Sequence, residues 1–497
     1  MSEERPRDDR RESGGRRDDG KRYRDQGDYG DRNRARSNQA VRKPARVQPA
    51  RRVAYGVIAA VREDEAFANL LLPQRIDRAG LDAKDAALAT ELTYGTLRRQ
   101  GFYDRVIELA AKRPVAEIDP PLLDVLRLGA HQLLATRVAP HAAVDESVSL
   151  AREVGSRSTA GFANAVLRAI GRADAAGWLT EVLAGVRDED ERLAIEHSHP
   201  IWIVRALRRA LAGAGREAEI AELLAADNAA PRVSLTALPG LLDRAELPGT
   251  PTLLSPVGVR AESGDPARMP HVRDGRARVQ DEGSQLAALA LSRARPVEAG
   301  ERWLDLCAGP GGKAALLAAE AAVGGATLLA NEVVPARAEL VRRALVALPE
   351  PPEVLAADGR GFGDSHPQEF DRIMLDAPCT GLGALRRRPE ARWRKQPSDL
   401  PGLTGLQDEL AESAARALKP GGLLAYVTCS PHVAETKGVL RGLLKRHPEL
   451  EQLDTAAVLN EVTGGSLKAA EDGGAVQLWP HSEGTDAMFI ALLRRTA

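Results

Sequence analysis

Three cysteines, at positions 307, 379 and 429, are the residues of this 497-residue chain best suited to covalent chemistry. Each follows a short apolar run of the kind that forms a buried parallel strand. A lone thiol usually packs as a small hydrophobe, a reading that suits Cys307, whose backbone is expected to line a ligand. It does not suit Cys379 in LDAPCTGLGALRRRPEARWR (375 to 394) or Cys429 in AYVTCSPHVAE (425 to 435), which stand at strand ends beside turn residues. Two such thiols can serve as a nucleophile and its helper, or as a redox pair that closes to a disulfide under mild oxidant. A free thiol ionises near about pH 8.5, so a nucleophile here needs its thiolate stabilised. The helix expected to begin near Pro431 offers that to Cys429, whereas His432 is expected to cap a turn or face solvent.

A ligand site is expected beside the first cysteine. DLCAGPGGK (305 to 313) ends a predicted strand and opens a predicted helix, and Gly309, Gly311 and Gly312 allow a tight turn and a close backbone approach. The loop fits neither the dinucleotide pattern nor a phosphate-binding loop, since the spacing to Lys313 is wrong and no Ser or Thr follows it. The next strand ends in Asn331-Glu332, where an acid can bind a ribose diol. The third ends at Asp358, where a carboxylate can accept from an adenine amino group. Loop and two acids together describe an adenosine site, and the absence of a diphosphate-reading motif favours S-adenosylmethionine over NAD. The expected cofactor residues are Cys307, Ala308, Gly309, Pro310, Gly311, Gly312, Lys313, Glu332, Asp358 and Asp376.

The elements that must position these groups follow from hydropathy patterning. From about 276, apolar runs alternate with helical segments: RWLDL (302 to 306), GATLLANEV (325 to 333), EVLAA (353 to 357), DRIMLD (371 to 376), GGLLAYVT (421 to 428) and MFIALLRR (488 to 495). Strands alternating with helices imply a doubly wound, mostly parallel α/β sheet of Rossmann-like type, with ligands at the carboxyl ends of its strands. Residues 51 to 175 instead show three- and four-residue apolar spacing and read as an all-helical domain, with Gly129, Pro140 and Gly161 expected at its turns. Residues 176 to 275 read as a small mixed linker domain, with a helix in HPIWIVRALRRAL (199 to 211) and a strand over 231 to 238. His197 and His199 lack a nearby cluster at ligand spacing, so a surface or capping role is expected for them and no metal.

Lys plus Arg (69) nearly balance Asp plus Glu (70), yet residues 1 to 52 hold 17 Lys/Arg against 10 Asp/Glu. Residues 1 to 50 therefore form a basic tail, expected to be disordered for want of aliphatic residues and to act as an electrostatic arm or a solubilising tail. No apolar run approaches a membrane span and no secretory signal is visible, so a cytoplasmic protein is expected, with no membrane partner.

The motifs carry a specific resemblance. DLCAGPGGK, LDAPCTGLG, RRRPEARW and VTCSPHVAE resemble those of the Sun family of RNA cytosine-5 methyltransferases, as do VQDEGSQLAA (278 to 287) and GTDAMFIALLRR (484 to 495). LRLGAHQLL (126 to 134), APHAAVDESVSLA (139 to 151) and GFANAVLR (161 to 168) resemble the NusB-like RNA-binding domain that precedes the catalytic domain in bacterial enzymes acting on 16S rRNA. By this resemblance Cys429 is the nucleophile that adds to carbon 6 of cytosine, Asp376 holds or protonates ring nitrogen 3, and Cys379 assists release of the product. On chemical grounds alone Cys379 competes, because DNA cytosine-5 methyltransferases use a Pro-Cys thiol; the second cysteine in Thr-Cys favours the RNA class. Thr380, Ala487 and Pro431-His432 depart from the family's usual residues without removing a reacting group.

The stretch RRRPEARWRK (386 to 395) has six basic residues and one acid. Arg386, Arg387, Arg388 and Arg392 are expected to grip phosphates, and Trp393 to stack on a base, in a single-stranded or loop site of RNA, with 16S rRNA as the expected partner of a monomeric enzyme. The competing readings are action on tRNA, another RNA or DNA, and a non-catalytic RNA-binding assembly factor. A scaffold has no need of the intact set Lys313, Asp376, Cys379 and Cys429.

Overall fold

The computed structural model describes residues 47–262, 265–467, 471–472 and 474–496, so nearly all of the expected basic tail lies outside the described residues. The chain opens with the helices Pro49–Glu63, Ala68–Ala79, Ala83–Arg98, Gln100–Ala111, Pro120–Ala135, Pro140–Val154, Arg157–Ile170 and Ala175–Val182. Three of them start with proline in the first turn, where its missing N–H costs nothing, and Arg157–Ile170 starts with a capping box between Ser156 and Thr159. Their apolar faces meet in one core that includes Val57, Phe102, Val106, Leu126 and Leu167.

Pro140 does begin a helix, but Gly129 and Gly161 lie inside helices rather than at turns. Gly129 is a packing residue. A Cβ there would stand 2.6 Å from Leu167 Cδ2, so its absence lets two helices approach closely. A Cβ on Gly161 would touch nothing, and no structural reason for that glycine is apparent.

Three further helices, Glu189–Glu196, Ile201–Ala212 and Ile220–Asn228, lead into a four-stranded antiparallel sheet of β1 (Ser234–Ala237), β2 (Thr250–Pro251), β3 (Gly258–Arg260) and β4 (Ala277–Val279), in the order β2-β3-β1-β4. The expected helix and strand of this region are both present. β4 lies past residue 275, so the small sheet takes its last strand from the segment assigned by sequence to the following domain.

The large sheet contains β5 (Arg302–Asp305), β6 (Thr327–Asn331), β7 (Glu353–Leu355), β8 (Phe370–Asp376), β9 (Leu418–Thr428), β10 (Leu450–Gln452), β11 (Glu471–Asp472), β12 (Ala475–Gln477) and β13 (Phe489–Arg495). Its order is β11-β12-β13-β9-β8-β5-β6-β7, with β10 also on β13. β5 to β9 are mutually parallel, whereas β13 runs antiparallel to β9. All six strands expected from sequence are present; β10, β11 and β12 are short and were not foreseen. Strand order reverses at the neighbouring parallel strands β5 and β8, so their carboxyl ends open a crevice. Among the described residues no helix is long and apolar enough to cross a membrane.

Candidate active site

The end of β5 and the helix Gly312–Val323 frame the glycine loop. Gly311 has φ +104°, and a Cβ there would lie 2.5 Å from that of Ala344; both the conformation and the space demand glycine. A Cβ on Gly309 would come within 2.0 Å of Glu332 Oε2, so the strand-end acid stands directly against the loop. Glu332 is buried, accepts from the Val334 N–H at 3.0 Å and pairs with Arg337 at 3.3 Å. Arg337 also donates to the Gly309 carbonyl at 2.8 Å. Ala308 donates its N–H to Asn331, and its carbonyl accepts from Gly311, so the loop's own bonds fix its shape. This cradle, with a carboxylate on its wall, fits the adenosine part of S-adenosylmethionine.

Asp358 is less simply placed. It is exposed, caps the turn Gly359–Gly361, and is paired with Arg360 at 2.6 Å, which holds its carboxyl below the usual range. Contact with an adenine amino group requires it to share its oxygens with that guanidinium.

Asp376, Cys379 and Cys429 converge at the ends of β8 and β9. The two sulfurs are 3.4 Å apart, and Lys313 Nζ donates to Asp376 Oδ2 at 2.9 Å. The hydrogen bond from Cys379 pulls Cys429 below its ordinary value, and the Lys313 and Arg388 cations add to this against burial and Asp376. Cys379 moves the opposite way, raised by the same hydrogen bond and by burial. These opposite shifts favour Cys379 as the donor and Cys429 as the acceptor of their contact. Burial disfavours the Lys313 charge, but Asp376 more than offsets it, and the ammonium persists. Cys307 is pushed up by burial and by the carboxylates of Asp305, Asp376 and Glu332, which makes it a poor nucleophile. His432 accepts the Ala434 N–H on its Nδ1 and burial lowers its pKa, so it caps a turn as a neutral ring.

Two acids of this site escaped sequence reasoning. Asp305 is fully buried at the end of β5, where burial and then Asp376 push it up to about 8. Glu435 is buried beneath both cysteine loops. Each lies within a motif quoted above, but an acid in a motif carries no mark of burial. The sequence signal was its place next to a strand end or a helix start.

The basic run is corrected by the structure. Arg386 is buried and donates to Asp486 at 2.8 Å, to Asp281 at 2.9 Å and to the Gly484 carbonyl at 2.8 Å; Arg387 bonds the same two acids. Arg392, at 0% exposure, donates to Asn228 Oδ1 at 2.9 Å and to the carbonyls of Ser198, Arg98 and Asp227. Trp393 packs its ring against Gly101. Arg392 and Trp393 strap this run to the helical region and the three-helix segment, while Arg386 and Arg387 hold it to Asp281 and Asp486; the buried Arg386 and Arg392 are not placed to grip phosphates. The physical reason is geometric: a guanidinium offers five donors in a fixed fork, which suits a junction lined by carbonyls and carboxylates. Arg388 alone of the predicted set is exposed, with its guanidinium over the Phe67 ring at 5.5 Å.

Burial lowers Arg392 to about 10, so it is a cation held in place by its acceptors. Arg392→Ala leaves those acceptors buried and unpaired and is expected to cost about 3–5 kcal/mol of stability, read from the urea midpoint. A loss under about 1 kcal/mol contradicts the strap. His199, also buried, donates from Nδ1 to the His197 carbonyl and lies 3.6 Å from Asp227. Both histidines thus serve the same junction.

Comparison with known proteins follows these boundaries. Residues 294–494 match the family model described as 16S rRNA methyltransferase RsmB/F, and residues 48–172 match the NusB family model. A Mycobacterium tuberculosis protein bearing a provisional methyltransferase name is 48% identical over 466 residues, covering 93% of this chain and 99% of its own. The ribosomal RNA small subunit methyltransferase B of Pseudomonas putida is 34% identical over 438 residues, covering 85% and 95%. In fold, the chain is similar to the crystal structure of PH0851, with a TM-score of 0.72 at 22% identity over 91% of this chain and 100% of that one.

Proposed function

Since the chain belongs to the RsmB/F family of S-adenosylmethionine-dependent rRNA methyltransferases, we propose that it methylates carbon 5 of a cytosine in 16S rRNA through a covalent adduct on Cys429. The observation that carries this reading is the 3.4 Å contact of Cys379 and Cys429, beside the Lys313–Asp376 pair. Carbon 5 of cytosine is a poor nucleophile. Addition of the Cys429 thiolate forms a sulfur bond to carbon 6 and moves the ring's electron pair towards carbon 5, while nitrogen 3 takes up a proton from solvent that the Asp376 carboxylate holds as a hydrogen-bond acceptor. Bound S-adenosylmethionine supplies an electrophilic methyl group. A base then takes the carbon 5 proton, the electron pair of that C–H bond re-forms the 5,6 double bond, and Cys429 leaves carbon 6 as a thiolate, with Cys379 assisting that release. Gly309, Gly311 and Gly312 let the backbone approach the cofactor, Glu332 binds its ribose and Asp358 its adenine.

The target base must leave its stack to reach a thiol at the end of β9, which favours a single-stranded or loop cytosine. The proposal includes residues 51 to 175 as an RNA-binding NusB-like domain, 176 to 275 as a small RNA-contacting segment and 276 to 497 as the catalytic domain, acting as a cytoplasmic monomer. Arg388 is the phosphate contact of the basic run. Arg388→Ala is expected to weaken RNA binding and to reduce the slope of log affinity against log salt by about one. An unchanged slope removes Arg388 from the interface.

Transfer of labelled methyl to unmodified 16S rRNA, followed by nucleoside analysis, tests the central claim. Labelled 5-methylcytidine is the expected product. Label in another nucleoside, or none in 16S rRNA while the cofactor binds, overturns it.

A further inference from the structure

Glu435 is fully buried, at 0% exposure, in the single π-helical turn Ala434–Gly438 that follows β9. Its Oε1 accepts from the Thr380 N–H at 2.8 Å and from Gln407 Nε2 at 3.2 Å; its Oε2 accepts from the Thr380 hydroxyl at 2.5 Å and the Ser430 hydroxyl at 2.7 Å. Thr380 directly follows Cys379, and Ser430 directly follows Cys429. The two hydroxyls also touch each other at 3.0 Å. Gln407 donates in addition to the carbonyl of Pro378, the residue before Cys379, at 2.7 Å. Glu435 is itself anchored to β9, because the Tyr426 hydroxyl donates to its backbone carbonyl at 2.6 Å. One carboxylate thus ties together the two loops that carry the thiols, which belong to different strands 50 residues apart in sequence.

We propose that Glu435 is a positioning residue for methyl transfer, whose carboxylate fixes the approach of the two sulfurs so that Cys379 donates its S–H to Cys429. The role rests on the cysteine-adduct reading above. Packing alone does not require a charge at this position: a neutral amide fills the same volume, and hydroxyl donors can turn to meet it. A negative charge beside Cys379 does something further. It disfavours a second anion there, so the proton shared by the pair stays on Cys379 and the thiolate stays on Cys429. Cys379 is accordingly raised, by its bond to Cys429 and burial first and by Glu435 among the carboxylates around it.

The full-length protein, without RNA, is treated with iodoacetamide between pH 6 and 9, and the alkylation rate of each cysteine is followed by peptide mass spectrometry. In the native protein Cys429 is expected to react faster than Cys379. In Glu435→Gln the ratio of the two rates is expected to fall about tenfold, the equivalent of one pKa unit. The same variant is expected to lower kcat with KM for RNA unchanged, and to move the acid limb of the pH profile upwards. A structural role alone would change neither the labelling ratio nor that limb. If Glu435→Gln does not fold, Thr380→Val is read instead; it deletes the Thr380 hydroxyl with its bonds to Glu435 and Ser430, and a fall in the ratio is again expected. An unchanged ratio in the folded variant overturns the role of Glu435 alone, whereas full turnover by Cys429→Ala overturns the adduct reading beneath it.

Discussion

Cys429→Ala is expected to abolish methyl transfer, by at least about four orders of magnitude, because the thiolate that adds to carbon 6 and makes carbon 5 electron-rich is gone. S-adenosylmethionine binding is expected to survive, since the glycine loop and Glu332 hold their places through bonds of their own and none involves Cys429. Single-turnover transfer of labelled methyl, with calorimetric titration of the cofactor alongside, checks both halves. Transfer at the native rate removes Cys429 from the chemistry. Loss of cofactor binding together with activity would instead point to a collapsed site. Thr428 and Ser430, buried on either side, argue against that collapse: a hydroxyl bond from Thr428 to the Ser430 carbonyl at 2.9 Å holds the turn without the thiol.

The second large effect has the opposite appearance. Cys379→Ala is expected to leave addition and methyl transfer possible but to stall release, so that protein and RNA remain joined. The reading is a slow-migrating band on a denaturing gel that requires both S-adenosylmethionine and unmodified 16S rRNA and disappears in the double variant with Cys429→Ala. Absence of that band argues against the release role. The pH profile supplies an independent check with a definite sign. The Cys379 S–H stabilises the Cys429 thiolate, so its removal raises the ionisation of Cys429, and the acid limb of kcat/KM moves to higher pH. No movement of that limb would mean that the 3.4 Å contact does not tune the nucleophile.

The parts of the candidate site were legible in the sequence because they lie in short segments. A glycine loop after a strand, an acid at the end of the next strand and two thiols at strand ends keep their meaning wherever the fold places them. Three- and four-residue apolar spacing likewise announced the helical region, and short apolar runs the main strands of the sheet. The short strands Leu450–Gln452 and Ala475–Gln477 escaped because they stand outside the alternation of strands and helices that marks the parallel part of the sheet. Gly129 escaped for a related reason: a glycine required by a neighbouring helix looks, in one dimension, like a glycine required by a turn.

The basic run shows the limit most clearly. Arg386, Arg387 and Arg392 have the composition of an RNA-binding face and serve as a strap, while the exposed Arg388 stands between two of them in the chain. Whether an arginine faces water or a ring of carbonyls depends on segments as distant as Arg98, Ser198, Asp227 and Asp486, and no local pattern encodes their arrival. Glu435 is the same lesson within the active site. By itself, then, the sequence determined the fold class, the cofactor loop and the two thiols, because strand and helix periodicity and loop chemistry are local. The tertiary structure alone decided how closely the two thiols approach, which acid ties their loops together and which arginines are exposed, because these are settled by burial and by groups brought together from remote parts of the chain.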